Sequence, residues 1–208
     1  MSLKDILAEM RSGELYRCDD PELLALQTAA LEKVYDFNAT RPSQSEERKK
    51  LIKDIFAEAG ENCYIEPPLH ANWGCFTHVG KNFYANFNLT LVDDTDIYIG
   101  DNVLIGPNVV LDAGTHPVAP EYRAMQYQYN LSVRIGDNVW IGANSVVLPG
   151  VTVGSGSIIG AGSVVTKDIP ENVIAAGVPC KVLREITARD RDFYDKNRPV
   201  PDRIKESI

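Results

Sequence analysis

The sequence predicts a stacked parallel β-solenoid behind an α-helical segment, and three observations carry that prediction. From Ile135 the chain reads IGDNVW, IGANSV, VLPGVT, VGSGSI, IGAGSV and VTKDIP, six consecutive hexapeptides that each begin with Ile or Val. Glycine is partitioned: of 15 in the chain only Gly13 and Gly60 precede residue 74, and the other 13 lie between Gly74 and Gly177. Residues 1–60 instead carry helix start and stop signals around apolar positions at helical spacing.

Within that first segment, Ser2 followed by Asp5 opens an apolar pattern (Leu3, Ile6, Leu7, Met10) that Gly13 closes as a C-terminal cap. Asp20 with Pro21 opens a second helix, because proline at the first helical position sacrifices an N–H that has no partner there. Leu23, Leu24, Ala30, Leu31, Val34 and Phe37 give it one buried stripe, and Arg41-Pro42 ends it. Ser43 with Glu46 predicts a further capping box, after which Leu51, Ile52, Ile55, Phe56 and Ala59 carry a third helix to Gly60.

The six-residue register also occurs upstream as IGDNVL, IGPNVV and LDAGTH from Ile99, and two residues out of phase as VGKNFY, ANFNLT and LVDDTD from Val79. A helical period of 3.6 does not generate this pattern. A short β-branched stretch, a turn of Gly, Asn or Asp, and another short stretch make one side of a triangular coil, so three hexapeptides close a coil. Each coil buries its apolar residues only against its neighbours, so the array needs several coils and a cap at each end. The expected organisation is a helical segment over 1–60, a β-helix over 61–184 and a C-terminal tail over 185–208. The repeat is interrupted once, so a loop over 112–132 is expected to leave the coil.

Composition narrows the function. With 21 Lys and Arg against 29 Asp and Glu, the net charge of −8 leaves no cationic excess for a phosphate backbone, so nucleic acid is excluded as a partner. The same balance excludes a polybasic membrane anchor, and no apolar run approaches the roughly 18 to 20 residues of a spanning helix. Lys4, Asp5, Glu9, Arg11 and Glu14 stand where a secretory signal would be apolar, so a cytoplasmic location is expected. Cys18, Cys63, Cys75 and Cys180 form no CxxC pair and read as reduced small hydrophobes.

The stretch IGDNVWIGANSVVLPGVTVGSGSIIGAGSVVTKDIPENVIAAGVPCKV resembles the hexapeptide-repeat acyltransferases. GELY at 13–16, FYANFNL at 83–89, IGDNVLIGPNV at 99–109 and THPV at 115–118 narrow the resemblance to the maltose and galactoside O-acetyltransferase branch, as far as about Glu185. It implies a left-handed β-helix, acetyl-CoA as co-substrate, a small sugar or glycoside as acceptor, and a homotrimer with a site in each cleft between neighbouring β-helices. The competing readings are an acetyltransferase for xenobiotics or amino sugars on the same fold, and a trimeric β-helix that binds without catalysing.

Acetyl transfer from a thioester to an alcohol needs a base near neutral pH, and imidazole titrates in that range. His116-Pro117 lies in the extruded loop, where a rigid scaffold displays functional groups, and the family's catalytic His stands at this THPV position. His70 and His78 lack that context, and the three His show none of the tight spacing of a zinc site such as that of the β-helical carbonic anhydrases, so no metal is expected.

The resemblance further implies acceptor contacts at Asn72, Tyr84, Asn86 and Asp94. It implies main-chain contacts to the pantetheine arm at Ala143 and Ala161, cations for the nucleotide end at Thr166-Lys167, Lys181 and Arg184, and an apolar wall at Trp140, where the hexapeptide is expected to carry a small side chain. One position departs from the pattern: the galactoside enzymes place an Asp where this chain has Cys18. The expected chemistry is direct attack in a ternary complex, with backbone N–H groups at the oxyanion.

Overall fold

The computed structural model describes residues 2–207. The hexapeptides fold into a left-handed parallel β-helix whose coils contribute one short strand to each of three faces. Face 1 contains Glu58–Ala59, Thr77–Val79, Ile97–Ile99, Val133–Ile135 and Thr152–Val153. Face 2 contains Tyr64–Ile65, Tyr84–Ala85, Leu104–Ile105, Trp140–Ile141, Ile158–Ile159 and Val173–Ala176. Face 3 contains Leu69–Ala71, Leu89–Val92, Val110–Asp112, Val146–Val147 and Val164–Val165. The interior is the column of repeat-initial residues: Ile105, Leu111, Ile141, Val147, Ile159 and Val165 are all buried.

Turns explain the composition. Asn62, Asn82, Asn102 and Asn138 form one vertical ladder, and Asn88, Asn108 and Asn144 form another, joined by five bonds in which a side-chain Nδ2 donates to the Oδ1 one coil further on. All seven sit at φ between 56° and 61°, a left-handed conformation that Asn tolerates better than other side chains.

The two-residue phase offset has a location. Eight residues run from Leu91 to Ile99, and eight from Ala71 to Val79, where six run from Val147 to Val153. The extra residues, Asn72-Trp73 on one coil and Asp93-Asp94 on the next, lie at the edge where face 3 turns into face 1. The long loop leaves from this same edge on the third coil.

The N-terminal helices α1 (Leu3–Met10), α2 (Pro21–Asn38) and α3 (Ser45–Ile55) cover the open end of the solenoid. Phe37, Ile52, Ile55 and Phe56 join the solenoid core. Asn38 satisfies both backbone groups of Leu69, the edge of the first face-3 strand, with bonds of 2.7 and 2.8 Å. The Ser2–Asp5 capping box and the Asp20 cap form.

Four expectations for the first segment need correction. Residue Gln44, not Ser43, is the N-cap of α3; it makes no side-chain cap bond, because its Oε1 accepts instead from the Arg41 N–H. α3 stops at Ile55 rather than Gly60, because the Ala57 N–H is captured by the Thr77 carbonyl and Glu58–Ala59 becomes the first solenoid strand. α1 ends at Met10 with Arg11 as its cap, and Gly13, at φ +84°, lies beyond it. The stripe of α2 is also split: Leu23, Val34 and Phe37 are buried, whereas Leu24 and Leu31 are 47% and 46% exposed. No helix among the described residues is long and apolar enough to cross a membrane.

Candidate active site

The loop is a strand pair with a helical tip. Gly114–Thr115 pairs antiparallel with Tyr127–Asn130, which in turn pairs with Tyr16–Arg17 of the N-terminal segment. Between them α4 (Pro120–Ala124) carries Arg123, whose guanidinium donates to the carbonyls of Pro117 and Val118 and braces the turn after His116. His116 is exposed, and its Nδ1 lies 3.2 Å from the Tyr127 carbonyl. A carbonyl only accepts, so Nδ1–H donates to it, and in the neutral ring the lone pair sits on Nε2.

Beneath the loop lies a carboxylate cluster. Asp94 Oδ1 accepts from Asn72 Nδ2 at 3.1 Å and from Trp73 Nε1 at 2.9 Å, and its Oδ2 accepts from Gln128 Nε2 at 3.3 Å. A Cβ on Gly114 would sit 2.5 Å from that Oδ2, so glycine lets the strand leading to His116 lie directly on the carboxylate. Asp112 is pushed up chiefly by burial and further by the charge of Asp94, while His116 pulls it down, so the three groups share one electrostatic neighbourhood. Fully buried Asp93 is pushed up to about 7 by desolvation, against bonds from the Trp73 N–H at 2.9 Å and Thr77 Oγ1 at 3.0 Å.

The structure brings His116, Asp94 and Asn72 to the edge between face 3 and face 1. It places Tyr84 and Asn86 elsewhere. Tyr84 stacks on Tyr64 on the outside of face 2, and Asn86 stands at the edge between face 2 and face 3, its Oδ1 accepting from the Phe87 N–H at 2.8 Å. Ala143 and Ala161 lie on that second edge, one coil apart, the Ala143 carbonyl accepting from the Gly162 N–H.

The residues expected at the nucleotide end are divided in the same way. Thr166 and Lys167 follow the last face-3 strand, whereas Lys181 lies on the antiparallel strand that ends face 2. Arg184, on that strand too, is held in a two-pronged pair with Asp190 at 2.7 and 2.8 Å. Trp140, expected at a small-residue position, instead belongs to an outward apolar column, in register with Leu104 and Ile158 and 51% exposed. An outward residue of a face-2 strand has no neighbouring interior to limit its size.

Two residues of this cluster, Trp73 and Gln128, escape a motif reading, and Tyr16 of GELY enters it with no role that the motif gives. The Gln128 amide donates to the Tyr16 hydroxyl, and Asn130 Nδ2 donates to the same hydroxyl at 3.1 Å and to the Asp94 carbonyl at 3.0 Å. Their signal is the alternation of YQYN, which puts two amide side chains on one side of a strand, a pattern that calls for buried polar partners. Cys18, at the departing position, lies nearby with Sγ 3.3 Å from the Gln126 carbonyl, and burial raises its thiol. The three His stand apart, His70 outside face 3, His78 outside face 1 and His116 in the loop, and no group of metal-ligating side chains occurs among the described residues.

Known proteins fit this arrangement. The family model described as the maltose acetyltransferase hexapeptide capping motif matches residues 9–60, and that of the bacterial transferase hexapeptide matches 132–167. The galactoside O-acetyltransferase of Escherichia coli K12 is 54% identical over 193 residues, 92% of this chain and 94% of that one. A galactoside acetyltransferase solved in complex with coenzyme A is similar with a TM-score of 0.91 at 48% identity, over 97% of this chain and 99% of that one. A maltose O-acetyltransferase from Clostridium difficile 630 gives a TM-score of 0.86 at 37% identity, over 88% of this chain and 97% of that one. A solenoid capped by helices, a loop imidazole above a carboxylate cluster, and identity at this level over nearly the whole length mean that the chain belongs to the maltose and galactoside O-acetyltransferase family of hexapeptide-repeat acyltransferases.

Proposed function

We propose that the protein transfers the acetyl group of acetyl-CoA to a hydroxyl of a small sugar or glycoside, by direct attack in a ternary complex shared between chains of a homotrimer. The observation that carries this reading is His116, held by its Nδ1–H on Tyr127 with Nε2 free, on a loop that rests on Asp94. Nε2 takes the acceptor hydroxyl proton as the oxygen adds to the thioester carbonyl. The tetrahedral adduct, its oxyanion held by main-chain N–H groups, then collapses to the acetyl ester and the coenzyme thiolate, which receives the proton from the imidazolium. No side chain carries the acetyl group.

The two edges support the proposed assembly. A rigid triangular prism does not bring two of its own edges together, whereas a second copy would set the Asn86 edge of one chain against the His116 edge of another. The surfaces that would meet are apolar: Leu104 and Trp140 outside face 2 are about half exposed, and Val118 at the loop tip is 93% exposed. Outside face 1 the column is instead Glu58, His78, Tyr98 and Arg134. Ala143 and Ala161 would line the groove for the pantetheine arm, with Trp140 as its apolar wall and Thr166, Lys167, Lys181 and Arg184 toward the phosphates. Asn72, Tyr84, Asn86 and Asp94 would hold the acceptor.

The test is initial-rate thiol release with acetyl-CoA and a panel of glucosides, galactosides, maltose and xenobiotic amines. Intersecting patterns with a sugar are expected. Ping-pong kinetics, an acetylated Cys or a preference for amines would overturn the reading, and a fully active monomer in sedimentation would overturn the shared site. Mixing His116→Ala with Asn86→Ala chains should restore part of the activity.

A further inference from the structure

Asp94 is more heavily bonded than a sugar contact requires. A carboxylate oxygen offers two lone pairs. The Trp73 indole and the Asn72 amide fill both on Oδ1, at 2.9 and 3.1 Å, while on Oδ2 the Gln128 amide takes one at 3.3 Å and leaves one open. The open oxygen is the one against Gly114, two residues before His116.

Neither donor is free to wander. Trp73 is 5% exposed, its ring packs on Phe76 with centroids 5.8 Å apart, and its backbone N–H is tied to Asp93, which also accepts from Thr77. Consecutive carboxylates therefore grip Trp73 at both ends, Asp93 by the main chain and Asp94 by the indole. Gln128 is held by the Tyr16 hydroxyl, across the strand pair that joins the N-terminal segment to the loop.

We propose that Trp73 and Gln128 are positioning residues for acceptor recognition: they fix the Asp94 carboxylate with a single open position on Oδ2, so that Asp94 receives one acceptor hydroxyl in one orientation. The inference rests on the reading above that Asp94 contacts the acceptor. It also gives the Tyr of GELY a task, to hold the Gln128 amide toward the site.

The experiment compares Trp73→Phe, Asp94→Asn and the double variant for acceptor KM, acetyl-CoA KM, kcat and thermal midpoint. Trp73→Phe keeps an aromatic ring and removes the donor. It should raise acceptor KM roughly 5- to 30-fold and leave kcat and acetyl-CoA KM within about twofold, since a bond to a charged group is lost at one partner only. The double variant should be no worse than Asp94→Asn, because the two act as a unit. If Asp94→Asn raises acceptor KM and Trp73→Phe does not, or if the losses add, the positioning role falls and the acceptor reading stands. If Asp94→Asn is itself neutral, both fall.

Should Trp73→Phe not fold, a second measurement decides. The chain has two Trp, so Trp140→Phe assigns the Trp73 indole proton resonance. That resonance should move upfield in Asp94→Asn, and Gln128→Leu should raise acceptor KM without affecting acetyl-CoA KM. An unmoved resonance or an unchanged acceptor KM would overturn the proposal.

Discussion

Along the edge between face 2 and face 3, successive coils superpose residue on residue. Asn86, Gly106, Gly142 and Gly160 follow one another, and Asn88, Asn108 and Asn144 link their amides in a continuous ladder. Along the edge between face 3 and face 1, the same repeat is broken on three successive coils, by two residues, by two more and then by the loop. The regular edge provides a straight, small-residue groove suited to a long, thin substrate arm. The broken edge brings together an imidazole, three carboxylates and three amide side chains, because residues released from the repeat are free to take on polar groups that the coil interior excludes. A rigid edge and a candidate site are thus built from one period, kept in one place and abandoned in another.

The harshest way to break that division is to remove the proposed base. His116→Ala should lower kcat by about 10² to 10⁴ while coenzyme affinity, which the proposed reading assigns to the regular edge, stays nearly unchanged. Steady-state kinetics with a calorimetric measurement of coenzyme binding checks both. A loss confined to coenzyme affinity would place His116 in the groove instead.

A milder break separates the acceptor contacts. Asp94→Ala and Asn86→Ala should each lower kcat/KM for a glucosyl or maltosyl acceptor by about 1 to 3 kcal/mol, the cost of leaving a buried polar partner unpaired. If both variants instead lose thermal stability and keep their turnover per folded chain, the residues serve the turns and not the acceptor.

The two edges differ in how far the sequence reveals them. The regular edge is written openly, since Ile or Val every six residues and Asn at the turns define coil, face and ladder. The broken edge is visible as a fault in that pattern, in the offset between the Val79 and Ile99 registers and in the stretch around His116, though only the pairing of Leu91 with Leu111 and of Ile99 with Ile135 shows that both faults lie on one edge. Motif resemblance points to His116, Asp94 and Asn72 here, and equally to Tyr84 and Asn86, which stand away from this edge. What stayed hidden depends on contacts between distant segments. Gln128 meets Tyr16 across 112 residues of chain, and α3 ends early because a strand edge at Thr77 competes for its last turn. Local propensity carries no trace of either competitor.

Glycine substitutions sharpen the contrast. A Cβ on Gly142, in the regular edge, would lie 2.5 Å from the Ala161 backbone nitrogen, and backbone in a stacked coil does not yield. Gly142→Ala should therefore lower stability by about 1 to 3 kcal/mol, read from chemical denaturation. On Gly114 the Cβ would meet the carboxylate of Asp94, a side chain, at 2.5 Å. Gly114→Ala should cost less stability and more acceptor affinity. Equal stability losses in the two variants would mean that the broken edge is as rigid as the regular one.

The smallest effect concerns Asp93, the buried carboxylate at the broken edge. Its folded pKa is raised from 3.8 to about 7 because burial outweighs the bonds from Trp73 and Thr77. A raised folded value means that the unfolded chain gives up this proton first. The contribution to stability is therefore complete below pH 4, declines as pH climbs toward 7 with a slope of up to about 1.4 kcal/mol per pH unit, and levels off once both states are ionised. Asp93→Asn removes the titration and keeps an acceptor for the Trp73 N–H, while the Thr77 hydroxyl can turn to accept from the new amide. The difference in thermal midpoint, variant minus wild type, should grow between pH 4 and 7 and stay constant above. Since Asp93 holds Trp73 and Trp73 holds Asp94, acceptor KM is the companion readout, and it should be nearly unchanged because the main-chain bond survives. A midpoint difference that does not vary with pH would show that Asp93 titrates as an ordinary carboxylate, and that the break in the repeat leaves its corner open to water.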